Sequence, residues 1–282
     1  MKTAHPLAGA HHLDSDQTRP VLEVEHCSID FDTDNGVFRA VNDVSLTMSA
    51  GEKIMLLGPS GCGKSTLLKS IGGFIPMAEG KIKLNGVPVG RPGPDRILVF
   101  QDVNQLFPWQ TVRKNVAFAA REVLGCGKRE ALEKADHYLK ITGLAEFADF
   151  YPHALSGGMK QRGAIARAFV VDPSVLLMDE PFGALDAQTR LVLQRELNVL
   201  WQKTQTSIIF VTHSIDEAVR LGHRIVVMGR DPGRIIAVVD NTELQDIFAA
   251  DMEADPAEAA TVRRDLRELL HQARGESDRR TT

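Results

Sequence analysis

Two stretches of this 282-residue chain hold residue types that suit phosphate chemistry. Residues 58–66 read GPSGCGKST: Gly58, Pro59, Ser60, Gly61, Cys62, Gly63, Lys64, Ser65 and Thr66. Glycines at this density let the backbone curl until successive N–H groups point at one centre, which is how a loop cradles a phosphate. A helix starting directly after such a loop adds the positive end of its dipole. Lys64 would then neutralise β- and γ-phosphate charge, and the Ser65 hydroxyl would ligate Mg2+. The second stretch, VLLMDE at 175–180, runs four apolar residues into two adjacent carboxylates. Asp179 is placed to hold the Mg2+ shell, and Glu180 to polarise an attacking water as general base.

Residues this far apart in sequence need a framework that brings them together, and hydrophobic patterning supplies one. KIMLLG, VLLMDE and SIIFVTH are short, nearly continuous apolar runs, the signature of strands buried on both faces. Helical patterns follow at 64–73, in SGGMKQRGAIARAFVV, in DAQTRLVLQRELNVLWQKT and in SIDEAVRLG. Alternation of strand and helix predicts an α/β fold with a parallel core sheet. Before it, VLEVEHCSIDF and FRAVNDVSLTM alternate with period two around a DTDNG turn, which predicts an antiparallel side sheet. From about 102 to 160 the pattern changes to NVAFAAREVL, KREALEKADHYLKITGL and AEFADFYPHAL, read as an α-helical subdomain. RIVVMG and RIIAVV close the sheet around DPGR. The expected organisation is a loose tail at 1–20, a domain at 21–240, and a tail at 241–282. In that last segment Asp255, Pro256 and Glu258 read as a helix start, and Ala259, Val262, Leu266, Leu269 and Leu270 share one helical face.

The phosphate loop and the MDE strand end together define a P-loop nucleoside triphosphatase with a RecA-like core. Residues 155–162, LSGGMKQR, resemble the signature motif of the ABC ATPases. Physically this is again a helix start: Ser156 offers a hydroxyl, and Gly157 and Gly158 expose backbone N–H groups. The resemblance, which spans about 21–240, implies that this end meets the γ-phosphate of ATP held by an opposite subunit. It also implies roles for the other landmarks. Gln101, after ILVF, would sense Mg2+ and the attacking water. Asp186, in GALD, would cross the dimer interface, and His213, after SIIFVT, would contact the γ-phosphate. Phe31 is the expected adenine-stacking residue, with Phe38 as the alternative. One copy of each motif is half of two composite sites, so the expected assembly is a head-to-tail pair with a second copy or a close paralogue.

QDVNQLFPWQTVRKNVAF at 101–118 resembles the importer group that handles nitrate, sulfonate and taurine. That likeness implies permease subunits docking beside Phe107, Pro108 and Trp109, a periplasmic or lipid-anchored solute-binding protein acting indirectly, and a peripheral place on the cytoplasmic face of the bacterial inner membrane. Those aromatics are otherwise read as the core of the helical insert. An exporter ATPase is a rival that the Phe-Pro-Trp element argues against. A soluble ABC ATPase of nucleic-acid or ribosome metabolism is a second rival. The net charge of −4 and the single cassette speak against it, and no nucleic-acid partner is expected. No apolar stretch approaches the roughly 18 residues that span a bilayer. Cys27, Cys62 and Cys126 match no metal-ligand spacing and suit a reducing compartment. Alkylation of Cys62, inside the phosphate loop, is expected to inhibit ATP hydrolysis.

Overall fold

In β3 (Lys53–Leu57) the side chains alternate between two hydrophobic layers, Ile54 and Leu56 to one, Met55 and Leu57 to the other. The same division holds in β7 (Val175–Asp179), β8 (Ser207–Thr212) and β9 (Arg224–Gly229), whose residues on both faces are buried. A strand with two buried faces has no polar side to offer, which is why these segments read as unbroken apolar runs. The computed structural model that shows this arrangement describes residues 19–34, 36–254 and 256–275. The expected tail at 1–20 falls almost wholly outside them, as do Asn35 of the DTDNG turn and the expected helix cap Asp255.

The chain begins with a long hairpin, β1 (Leu22–Thr33) and β2 (Gly36–Met48), then β3, α1 (Lys64–Ile71), β4 (Glu79–Leu84), the short β5 (Val87–Pro88) and β6 (Arg96–Val99). Next come α2 (Val112–Leu124), α3 (Lys128–Ile141) and α4 (Gly157–Phe169). The remainder runs β7, α5 (Ala187–Thr204), β8, α6 (Ile215–Leu221), β9, β10 (Arg234–Asp240), α7 (Thr242–Ala250) and α8 (Ala257–Gly275). The strands form two sheets: an antiparallel one in the order β2-β1-β4-β5, and a six-stranded one in the order β10-β9-β3-β8-β7-β6. The larger sheet is parallel except for β10, which pairs antiparallel with β9. α1 and one hydrophobic layer lie between the sheets, and α4 to α8 cover the opposite face.

Three details depart from sequence patterning. AEFADFYPHAL forms two three-residue 3-10 turns, Ala145–Phe147 and Pro152–Ala154, instead of an α-helix. Its carbonyls are engaged elsewhere: Phe150 and Ala148 accept the otherwise unpaired Val112 and Arg113 N–H groups at the start of α2. The helical layer also extends past 160, because Ala166, Val170 and Val171 complete its core with Val112, Val116 and Leu139. Residues 241–275 feed Leu244, Phe248, Met252, Ala259 and Leu266 into the main hydrophobic layer. Val262, Leu269 and Leu270 pack against the same layer.

Candidate functional site

The loop after β3 turns on Gly61 and Gly63, at φ +81° and +89°, a region open to glycine and costly for other residues. At Gly63 a Cβ would also meet the Ala40 carbonyl oxygen at 2.9 Å, so the loop lies against β2 too closely for any side chain there. A cavity of about 260 Å3 opens over this loop, lined by Ser60, Gly61, Gly63, Lys64, Ser65 and Thr66. Phe31, Phe38 and Ala40 form its wall on the hairpin side, and Glu180 its far edge. Phe31 and Phe38 face each other across the β1–β2 register and are 38% and 56% exposed, so both of the sequence alternatives reach the cavity. A Phe pair in direct cross-strand register is a signal that the sequence carried without a motif to mark it.

Lys64 is buried, and its ammonium donates to the carbonyls of Gly58 (2.8 Å) and Pro59 (2.9 Å). Neutral carbonyls hold the charge in place, and a phosphate would be the stronger acceptor. Gly58 and Pro59 therefore serve the lysine and do not line the cavity. The direction of the Cys62 side chain leaves only its backbone N–H to take part in the phosphate loop. Its side chain is fully buried, with Sγ 2.7 Å from where a Gly58 Cβ would stand, and it does not face the cavity. Burial pushes its thiol above the ordinary range, with Lys64 pulling the other way. A thiol both enclosed and protonated is a poor target, so alkylation of Cys62 is now expected to be slow.

The acidic edge forms where β7 ends beside β3 and β8. Ser65 Oγ donates to Asp179 Oδ1 at 2.6 Å, which brings two hard oxygens together across 114 residues of sequence. Hydroxyl and carboxylate oxygens suit Mg2+, which takes few protein ligands and keeps several waters. Among the described residues no group of three or more His, Cys, Asp or Glu is placed to hold a metal ion. Glu180 follows at φ +45°, a left-handed conformation that a non-glycine residue adopts only when held there. Its N–H donates to the Val211 carbonyl, and its own carbonyl accepts the Gly183 N–H. The carboxylate is thereby turned toward His213, whose Nδ1 lies 3.2 Å from Glu180 Oε2. Gln101 reaches the same corner: a Cβ on Gly183 would stand 3.4 Å from its Nε2 and 3.7 Å from Glu180 Oε2. Gln105, which sequence reading passed over, fastens this segment by bonding both the N–H and the carbonyl of Phe100.

Ser156 caps α4, its Oγ accepting the Met159 N–H at 3.3 Å, so Gly157 and Gly158 form the open first turn. None of the three lines the cavity over the phosphate loop. Asp186 caps α5 in the same manner, taking the N–H and hydroxyl of Thr189 at 2.9 and 2.7 Å. These bonds hold its carboxyl below the usual range. The two caps touch: a Cβ on Gly158 would stand 2.6 Å from Thr189 Cγ2.

A strand, a glycine loop and a helix cradling phosphate, with an acidic pair at the end of a neighbouring strand, define a P-loop nucleoside triphosphatase. A family model described as ABC transporter matches residues 41–183, and the chain belongs to that family as an ATP-hydrolysing cassette. A taurine import ATP-binding protein of Rhizobium johnstonii is 42% identical over 256 residues, covering 89% of this chain and 97% of the relative. A nitrate import ATP-binding protein of Synechococcus elongatus is 44% identical over 210 residues, covering 74% and 76%. Among solved structures, the dimeric post-hydrolysis state of an ATP-binding cassette bound to ADP and Pi is similar at 29% identity. It has a TM-score of 0.69 and covers 78% of this chain and 98% of that one.

The helical layer carries a separate surface. Trp109 is 70% exposed, which removes it from the core of the insert, and it stacks on Phe107 at 5.3 Å. Phe107, Phe118, Val99, Gln105 and Arg167 line a largely apolar cavity of about 320 Å3 between this layer and the sheet. Among the described residues no helix is long and apolar enough to cross a membrane.

Proposed function

We propose that the chain is the ATPase subunit of a membrane importer for a small solute of the nitrate, sulfonate or taurine kind. Two copies, or this chain and a close paralogue, act head to tail, each closing the other's nucleotide site with the Ser156 helix end. The observation that carries this reading is the separation within one subunit. The cavity over Lys64 has a loop floor, an aromatic wall and a carboxylate edge, while the Ser156–Gly158 turn stands outside it. A second copy supplies the missing cover.

In this reading Ser60, Gly61, Gly63 and Thr66 hold the phosphates through backbone and hydroxyl groups, and Lys64 moves its ammonium from the loop carbonyls onto them. Phe31 and Phe38 offer stacking faces to the base. Bound Mg2+ would neutralise charge between the β- and γ-phosphates, held by Ser65 and Asp179 with Gln101 nearby. Glu180 accepts the proton of the attacking water, and His213 holds the Glu180 carboxylate and reaches the γ-phosphate. Asp186 lies at the subunit junction. Permease subunits dock on the Phe107–Pro108–Trp109 segment, where Phe107 lines one cavity and the exposed Trp109 a second, which keeps the protein peripheral on the cytoplasmic membrane face, and a solute-binding protein acts through them. The importer assignment is supported by the taurine and nitrate relatives.

The test is a disulfide. With cysteines at positions 60 and 156 in a Glu180→Gln background freed of Cys126, ATP and Mg2+ should produce a covalent dimer on oxidation. ATP-dependent crosslinking that stays within one chain would overturn the arrangement. Trp109→Ala should leave ATP turnover by the isolated subunit within about twofold and lower solute uptake when the permease is present.

A further inference from the structure

Behind the switch segment lies a buried carboxylate that the mechanism above does not use. Glu217, in the first turn of α6, is 8% exposed at its side chain. One oxygen accepts the Thr212 hydroxyl at 2.5 Å. The other accepts the Gln194 amide at 3.4 Å and lies 3.7 Å from Arg190 Nε. Thr212 and Ser214 flank His213, and Thr212 Oγ1 in turn accepts the Ser214 N–H at 2.9 Å. Arg190, one turn into α5, donates its other nitrogen to the Leu185 carbonyl at 3.0 Å, inside the Gly183–Asp186 turn. A chain of polar groups, open at the 3.7 Å Arg190–Glu217 step, therefore runs from the turn at the expected subunit junction to Thr212 and Ser214 on either side of the switch histidine.

Glu217 is buried and Arg190 is 34% exposed, and replacing such a pair by apolar side chains is often neutral or stabilising, so the pair is weak support for stability. Burial pushes the Glu217 carboxyl above its ordinary range, while the Thr212 hydroxyl and Arg190 pull it back. The chain is also not drawn tight. The Arg190–Glu217 distance exceeds a hydrogen bond, and Arg190 Nε and Gln194 Oε1 are buried without hydrogen-bond partners. A cavity of about 310 Å3 adjoins these groups and gives them room to move. We infer that Arg190 and Glu217 are positioning residues: docking of a second copy shifts the Asp186 turn, the Arg190–Glu217 pair closes, and His213 is fixed against Glu180. The inference rests on the dimeric ATPase reading, and neither residue lines the nucleotide cavity.

The experiment measures steady-state ATP hydrolysis, with Mg2+, by Glu217→Gln, Arg190→Met and the double variant of the full chain. Misplacing a group that orients a catalytic residue lowers kcat by roughly tenfold or more, and KM for ATP should stay within about twofold. The double variant should be no slower than the slower single variant, because both break one link. In a Glu180→Gln background both variants should still form the ATP-dependent dimer, which shows that folding and nucleotide binding survive. Wild-type turnover, additive losses, a raised KM at unchanged kcat, or failure to dimerise each overturns the coupling. Lys64→Ala in the same assay separates the two readings: if it hydrolyses ATP as well as wild type, the underlying site assignment fails as well.

Discussion

Two lysines bracket the same strand and meet opposite fates. Lys53 opens β3 and is sealed in: its ammonium donates to Asn198 Oδ1 at 2.7 Å and sits 3.9 Å over the Trp201 ring. Trp201 packs against His223 at 4.9 Å and donates its indole N–H to the Gly51 carbonyl. Lys64, seven residues past the other end of the strand, is held by two carbonyls that a phosphate would displace. The carboxyl ends of parallel strands open into loops where backbone N–H groups and side chains are available to a ligand. At the amino end of β3, α5 covers the Lys53 side chain with Asn198 and Trp201, beside an open cavity of about 630 Å3 that Gly51, Trp201 and His223 help to line. Polar groups at one end are kept exchangeable, and at the other they are spent on holding elements together.

The comparison predicts that substitutions at the two ends separate chemistry from stability. The largest effect belongs to Glu180→Gln. Loss of a general base lowers kcat by about 10²–10⁴-fold, with the melting temperature unchanged within a few degrees. A Glu180→Gln enzyme that turns over at even a tenth of the wild-type rate would remove Glu180 from that role. Trp201→Ala should do the reverse. It empties a nearly closed site and costs about 3–5 kcal/mol of unfolding free energy, read from denaturant melts, while the folded fraction hydrolyses ATP normally. Lys64→Ala removes charged hydrogen bonds to phosphate worth about 1.5–3 kcal/mol each, so calorimetry should show ATP affinity falling by at least tenfold. Its fold should be retained.

What sequence could reveal followed the range of the interaction. The phosphate loop is contiguous, and its glycines, lysine and hydroxyl sit where the motif puts them, so its chemistry is legible without a fold. Asp179 and Glu180 are legible because they end an apolar run, whereas Gln101 and His213 take their roles only from the resemblance to the ABC ATPases; adjacent parallel strands deliver all four to one edge. For Cys62, position in the motif says nothing of which way the side chain points, and the burial of its thiol is legible only in the fold. The Arg190–Glu217 link had no signal at all: its partners lie on two helices, 27 residues apart, in no recurrent spacing. α7 went unread because NTELQDIFAA is short, and its Leu244 and Phe248 count as core only once β10 has turned them back onto the sheet.

The smallest effect is the one that probes the sealed end most directly. Burial pulls Lys53 from 10.5 down to about 7, with Asp246 pulling the other way, and the Trp201 face favours the charged form. His223 is drawn from 6.5 to about 4 by burial and by Lys53. Its Nδ1 accepts the Lys53 backbone N–H at 2.9 Å, so protonating that nitrogen breaks the bond. In both cases the unfolded chain holds the proton more tightly than the folded one. Between pH 4 and 6.5 His223 is protonated only when unfolded, and between pH 7 and 10.5 the same is true of Lys53. Stability therefore rises with pH across each window, and acid costs this end of the sheet first. Lys53→Met should flatten the rise in melting temperature above pH 7 and, by removing a charge that helps depress His223, narrow the lower window from its acid side, whereas His223→Gln should flatten the lower one. ATP turnover at fixed pH should change little in either variant, since neither residue lines the nucleotide cavity. If Lys53→Met kept the wild-type slope above pH 7, the buried ammonium would be stabilised by its partners as fully as water stabilises it in the unfolded chain. The contrast between the two lysines would then lie only in what they bind.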